Sequence, residues 1–92
     1  MATFREAYDW MARVQKTCLE TPVSVHFDYN YCKCLDSCSL TLFVHYNDEV
    51  FSVDWSTYTE EDKYEMQKKV VLALLHGVGI TLYPKKNARR NS

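Results

Sequence analysis

Three cysteines within seven residues form a dense group of reactive side chains in this 92-residue sequence. They lie in the segment Cys32-Lys33-Cys34-Leu35-Asp36-Ser37-Cys38. Thiolates are zinc ligands, but a structural zinc site needs four ligands, and no paired Cys-x2-Cys knuckle follows this spacing. Asp36 or a second copy of the chain would have to supply the fourth ligand. We therefore expect free thiols with no bound metal or cofactor, and keep a metal-organised module as an alternative.

Two histidines offer a different kind of site. His26 and His45 fall on the polar faces of two neighbouring predicted strands, in a register that allows them to lie opposite each other. However, no Ser, Cys or carboxylate stands at the spacing of a catalytic triad. The sequence also contains no Gly-x-Ser-x-Gly, His-Glu-x-x-His, Walker or dinucleotide motif. We expect a polar pair on a solvated sheet face, with no enzymatic activity and no small-molecule substrate.

Two helices are predicted, one on each side of the segment that carries these residues. Thr3 and Glu6 form a capping box at the start of the first helix, whose apolar side chains recur every three or four residues. Trp10 lies off this apolar stripe. The second helix has an acidic first turn, which suits the helix dipole, and Gly77 is placed to end it.

Three strands are predicted between the helices, because apolar and polar side chains alternate there. The apolar positions are odd-numbered in the first strand, even-numbered in the second and odd-numbered in the third. Antiparallel pairing joins them on one face, for example with Phe27 opposite Val44 and Val44 opposite Val53. A short further strand or an extended arm is predicted over residues 80–83. The expected fold class is α+β, in the order α-β-β-β-α, with an antiparallel meander covered on one face by two helices.

The charge is divided between an acidic body and a basic tail. The tail cations are Lys85, Lys86, Arg89 and Arg90. They give residues 85–92 a charge of +4, which leaves seven cations and twelve acids, a charge of −5, in residues 1–84. We expect residues 1–84 to form a single domain, because the chain is too short for two cores. Since nucleic-acid-binding surfaces are usually basic, the tail rather than the domain is the predicted nucleic-acid contact.

Several aromatic and acidic side chains fall outside the predicted core. Trp and Tyr dominate the energetics of protein interfaces, and an acidic surface favours a basic partner. The predicted partner-binding residues are Trp10, Phe43, Tyr58, Glu60, Glu61 and Asp62. No apolar run approaches the roughly 18 residues of a membrane span, and the sequence begins without a basic leader. We therefore expect a cytoplasmic protein without a membrane partner.

The predicted order of elements resembles that of the double-stranded RNA-binding domain. That family places a lysine-rich motif at the start of its second helix. Here the corresponding position holds Glu60-Glu61-Asp62, which would repel phosphate, while Lys68 and Lys69 come two turns later. A nucleic-acid-binding domain of this kind is therefore our alternative hypothesis.

The chain also resembles small phage-encoded anti-CRISPR proteins, several of which are compact α/β domains of about this size. The resemblance is carried by the opening sequence MATFREAYDW, the tyrosine-rich meander from Val23 to Trp55 and an acidic body without a catalytic motif. It implies a non-catalytic inhibitor that binds a CRISPR–Cas surveillance complex, for example of type I-F, and blocks target DNA binding or guide hybridisation. The implied partners are the effector proteins and the guide RNA in the cytoplasm of a host bacterium.

Overall fold

The computed structural model describes residues 2–58 and 61–82 and confirms the order α-β-β-β-α. The helices are α1 (Phe4–Thr17) and α2 (Glu61–Val78), and the strands are β1 (Ser24–Cys32), β2 (Ser37–Tyr46) and β3 (Glu49–Ser56). Outside the described residues lie Glu60 and the tail cations Lys85, Lys86, Arg89 and Arg90. The α+β fold class follows directly from the alternation of helical and strand periodicities in the sequence.

The capping box at the start of α1 forms as predicted. The Glu6 N–H donates to Thr3 Oγ1 at 3.1 Å, and the Thr3 N–H donates to Glu6 Oε1 at 2.9 Å. These bonds satisfy two of the donors that a helix N-terminus otherwise leaves unpaired. The cap therefore fixes where the chain turns into α1.

A two-residue turn between β2 and β3 sets the register of these two strands. Asn47 and Asp48 both have positive φ, 53° and 67°, as a type I′ hairpin turn requires. The turn fixes the pairing of β2 with β3, in which Leu42 lies opposite Val53. On the other side of β2, Leu42 lies opposite Phe27 of β1.

The predicted sharing of one apolar face by the three strands is confirmed. The example pairings of Phe27 with Val44 and Val44 with Val53 are wrong by two residues, because Val44 lies opposite Val25 and Phe51. Alternation of side chains determines only whether paired residues are odd- or even-numbered, so it cannot distinguish registers that differ by two.

The core lies between the apolar face of the sheet and the two helices. Its buried hydrophobic residues are Ala7, Trp10, Met11, Val14, Cys18, Val23, Leu40, Leu42, Val44, Val53, Tyr64, Val71 and Leu75. Each of the three strands and both helices packs against this cluster. Both helices therefore cover the same side of the sheet, as predicted.

Trp10 belongs to this core, which corrects the prediction that it lies outside. Its side chain is only 6% exposed. The ammonium of Lys68 on α2 lies 5.4 Å from the centre of the Trp10 ring. Because the Lys68 side chain from α2 lies over the Trp10 ring, the buried surface of α1 is wider than the single apolar stripe that the sequence pattern indicates.

Gly79, rather than the predicted Gly77, ends α2. Gly79 has φ +86°, a left-handed conformation that glycine adopts without a steric penalty. Its N–H donates to the carbonyl of His76 at 3.0 Å, and the Ile80 N–H donates to the carbonyl of Leu75 at 2.9 Å. These are the two bonds of a Schellman motif. Of the strand or extended arm predicted over residues 80–83, residues 80–82 form no strand, and Ile80 and Leu82 pack against the core. Tyr83 lies outside the described residues.

The two edges of the sheet differ in how they are covered. At the β3 edge, the Asp54 N–H donates to Gln67 Oε1 on α2 at 2.8 Å. Gln67 Nε2 lies 3.5 Å from Asp54 Oδ2 and adds a second contact to the same residue. The opposite edge is β1, which pairs with β2 alone among the described strands.

Candidate functional site

A cleft between α1 and α2 is the candidate functional site. It has a volume of about 340 Å³. Its lining residues are Ala2, Glu6, Asp9, Trp10, Arg13, Glu61, Tyr64, Glu65 and Lys68. Four carboxylates thus line the cleft together with two cations and the aromatic side chains of Trp10 and Tyr64.

The two helices supply the lining residues with the same spacing. On α1 they are Glu6, Asp9, Trp10 and Arg13, and on α2 they are Glu61, Tyr64, Glu65 and Lys68. Residues three, four and seven positions apart lie on one side of a helix, so each set faces the cleft. Of these residues, sequence reasoning identified only Trp10 and Glu61. The repeated spacing was the available signal, but it does not show that the two helices face each other.

The first residues of the chain form part of the cleft wall. The Ala2 N–H donates to Glu61 Oε1 at 3.0 Å, and Trp55 Nε1 donates to the Ala2 carbonyl at 3.2 Å. These bonds tie the start of the chain to α2 and β3. Glu61, a predicted partner contact, therefore uses one carboxylate oxygen to hold the site together.

Lys68 shows how the cleft accommodates a cation. Its ammonium lies 4.9 Å from the centre of the Tyr64 ring and 5.4 Å from that of Trp10. Its nitrogen is also 3.8 Å from Glu65 Oε2. Aromatic faces and carboxylates both attract positive charge, and the attraction is stronger where water is excluded. The chemistry of the cleft thus suits the Lys and Arg side chains of a basic partner.

The electrostatics at Tyr64 reflect the acidity of the cleft. Burial raises the pKa of the Tyr64 phenol to about 12, and the negative charges of Glu65, Glu61 and Glu6 act in the same direction. Both causes disfavour the phenolate, the first by desolvation and the second by repulsion. The negative charges of both helices therefore act at one point in the cleft.

This pKa predicts a loss of stability at alkaline pH. Because the pKa is raised above the ordinary value of about 10, the contribution of neutral Tyr64 is fully present below pH 10 and is lost as the pH rises towards 12. In denaturant unfolding over this range, Tyr64→Phe should lose less stability than the natural sequence. Tyr58→Phe, at an exposed position, should follow the natural sequence. Equal pH dependence for Tyr64→Phe and the natural sequence would contradict the assignment.

Phe43, Tyr58 and Asp62 were also predicted to bind a partner, and they are not among the residues that line the cleft. Phe43 is on the opposite face of the sheet, where its ring stacks on His26 at 6.2 Å with an interplanar angle of 23°. Tyr58 is 73% exposed just after β3, and Asp62 is exposed in the first turn of α2. Among the described residues, the structure brings only Trp10 and Glu61 of the predicted set into the cleft.

The predicted pairing of the two histidines is wrong. His26 lies opposite Phe43, and His45 lies opposite Ser24, because the register of β1 and β2 differs by two residues from the one assumed. His26 Nε2 instead lies 2.9 Å from Asp28 Oδ1 on the same strand. The two side chains form an exposed polar pair on the face of the sheet remote from the helices.

The cysteines are all free thiols in the structure. Cys32 and Cys34 are exposed, Cys38 is half-buried and Cys18 is buried, and burial raises the pKa of the Cys18 thiol. Cys32 and Cys38 occupy opposite faces of the β1–β2 hairpin, since side chains alternate along each strand. Within residues 2–58 and 61–82, no three potential ligands among His, Cys, Asp and Glu are grouped to hold a metal ion.

We accordingly expect Cys34→Ser to leave the melting temperature nearly unchanged, because its side chain is exposed at the hairpin tip. Elemental analysis of the purified protein should find little zinc. Stoichiometric zinc together with unfolding on chelation would instead favour a metal-organised module.

No family model, curated protein or solved structure matches this chain. Neither helix in the described part of the chain combines the length and apolar character needed to cross a membrane.

Proposed function

We propose that this protein is a non-catalytic inhibitor that binds a bacterial CRISPR–Cas surveillance complex and blocks its binding to target DNA. The acidic cleft between α1 and α2 carries the proposal. It combines four carboxylates with two aromatic rings, and its cations are outnumbered two to one. A channel that holds DNA is lined by Lys and Arg, to which such a surface is complementary.

Several features of the domain suit this mode of binding. The cleft is built on two helices packed against a common core, so its charges are held in place before binding. Buried aromatic rings and Glu65 already contact the Lys68 ammonium in one corner. In the proposed complex, Lys or Arg side chains of the effector enter the remaining cleft and Asp62 contributes at its rim. The tail cations Lys85, Lys86, Arg89 and Arg90 contact guide phosphates.

The test measures binding of the full chain to an assembled type I-F surveillance complex at physiological salt, with target DNA as competitor. Asp9→Lys combined with Glu65→Lys should weaken binding by about 10- to 100-fold, because close charge pairs across an interface contribute several kcal/mol. The matched control is Glu20→Lys with Glu49→Lys, two exposed acids outside the cleft that give the same change in net charge. The control should bind within about threefold of the natural sequence.

Equal weakening by both double variants would show that net charge rather than the cleft drives binding. Failure to bind the complex, combined with tight and salt-sensitive binding to free double-stranded RNA, would favour the alternative of a double-stranded RNA-binding-like domain. The observation that supports this alternative is the α-β-β-β-α order of the elements. Neutralising the four tail cations would then abolish RNA binding, since the domain itself is acidic.

A further inference from the structure

The outer edge of β1 lacks several of the features that normally protect an edge strand. β1 spans nine residues, and its ladder with β2 runs without a bulge from Ser24 to Cys32. It contains neither Lys nor Pro, which many proteins place on exposed edges to prevent pairing with another chain. Within the described residues, its backbone pairs only with β2, whereas α2 covers the β3 edge through Gln67.

The register identifies which backbone groups point outward from β1. A two-residue hairpin turn closes on a hydrogen-bonded pair, here Tyr46 and Glu49, so the even-numbered residues of β2 bond to β3. The backbone N–H and C=O groups of successive residues in a strand point to opposite sides of that strand. The odd-numbered residues of β2 therefore form their hydrogen bonds with the even-numbered residues of β1. The outward N–H of Asp54, bonded to Gln67, fits the same alternation. The residues of β1 with outward N–H and C=O groups are Val25, Phe27, Tyr29 and Tyr31.

We propose that this edge pairs with β1 of a second copy of the chain, antiparallel and with Phe27 opposite Phe27 of the second copy. In β1, only the odd-numbered residues have outward-pointing backbone N–H and C=O groups. The side chains of these same residues lie on the helix-covered face of the sheet. Pairing odd with odd therefore matches the hydrogen bonds and joins the two apolar faces. The product is a continuous six-stranded sheet with a two-fold axis at Phe27.

Side-chain pairing on the helix-free face favours this register over its neighbours. His26 then lies opposite Asp28 of the second copy, and the contact occurs twice because of the two-fold symmetry. These residues are non-hydrogen-bonded pairs, in which opposing side chains are closest. Within one chain, His26 already approaches Asp28 to 2.9 Å, and both side chains are about half exposed or more. Sliding the second copy by two residues in one direction places Asp28 opposite itself, which is repulsive. Sliding it by two residues in the other direction places His26 opposite itself and removes the pairing with Asp28.

Exposed aromatic side chains line the same edge. Tyr8 is 42% exposed and Tyr29 is 53% exposed. The Tyr8 ring lies 5.2 Å from that of Phe27, and the Tyr29 ring lies 5.6 Å from that of Phe4. A second copy at this edge would bury part of these rings beside the two-fold axis, and buried tyrosines contribute strongly to interfaces.

Sedimentation equilibrium of the full chain tests the proposal. The natural sequence should show a reversible, concentration-dependent dimer. Tyr29→Pro removes an outward N–H without breaking the ladder to β2 and should give a monomer, because proline is tolerated on an open edge but cannot donate there. Tyr29→Thr keeps the N–H and loses only the ring, so it should dimerise more weakly than the natural sequence but more tightly than Tyr29→Pro. Circular dichroism and melting establish that both variants are folded.

A charge exchange tests the register. Asp28→Lys and His26→Glu should each weaken the dimer about tenfold, and the double variant should restore it, because two opposed pairs are broken and then remade. A monomer at all concentrations, or a dimer that survives Tyr29→Pro, would overturn the proposal. Tighter dimerisation of Asp28→Asn would also overturn it, since that result requires Asp28 opposite itself. None of these outcomes depends on binding to a surveillance complex.

Discussion

Leu42→Ala is expected to lower the free energy of unfolding by about 3–5 kcal/mol. Leu42 lies on the central strand β2, is fully buried and lies opposite Phe27 on one side and Val53 on the other. Truncation removes apolar contacts with both neighbouring strands and leaves a cavity that a close-packed core fills only in part. Since domains of this size are stable by roughly 5–15 kcal/mol, the loss is a large share of the total.

Denaturant unfolding measures this effect. Leu35→Ala is the matched control, because it removes the same atoms from a side chain that is exposed at the tip of the β1–β2 hairpin. We expect the control to change stability by less than about 0.5 kcal/mol. A loss below about 1 kcal/mol for Leu42→Ala would contradict the position of this residue at the centre of the meander.

Trp10→Ala should cost about 3–5 kcal/mol of stability, which distinguishes a core residue from a surface contact. Trp10 packs in the core cluster and its ring faces the Lys68 ammonium. The substitution therefore removes a large buried surface together with a cation–π contact. Thermal and denaturant unfolding should show the loss before any partner is added.

Tyr58→Ala provides the comparison, since Tyr58 is an exposed aromatic residue that was also predicted to bind a partner. Its unfolding free energy should stay within about 0.5 kcal/mol of that of the natural sequence. If Trp10→Ala instead unfolded like the natural sequence and only weakened binding, Trp10 would be an interface residue rather than a part of the core.

The cleft shows why sequence reasoning located only part of the candidate site. Glu61 was singled out because it belongs to an acidic first turn, which is visible in three consecutive residues. Asp9, Tyr64 and Lys68 were missed, because each is unremarkable within its own helix. Their joint environment exists only because α1 and α2, which are more than 40 residues apart in the chain, pack on the same face of the sheet.

The sequence by itself determined the order of the elements, the capping box at Thr3 and the side of each strand that faces the core. These features depend on side-chain periodicity and on bonds between residues close in the chain. The tertiary structure decided the sheet register, the end of α2 at Gly79 and the burial of Trp10. Registers that differ by two residues preserve the same alternation, so the choice depends on the geometry of a turn. Burial of a helical side chain depends on every element packed around it, and the position of α2 beside α1 is not encoded in the periodicity of either helix.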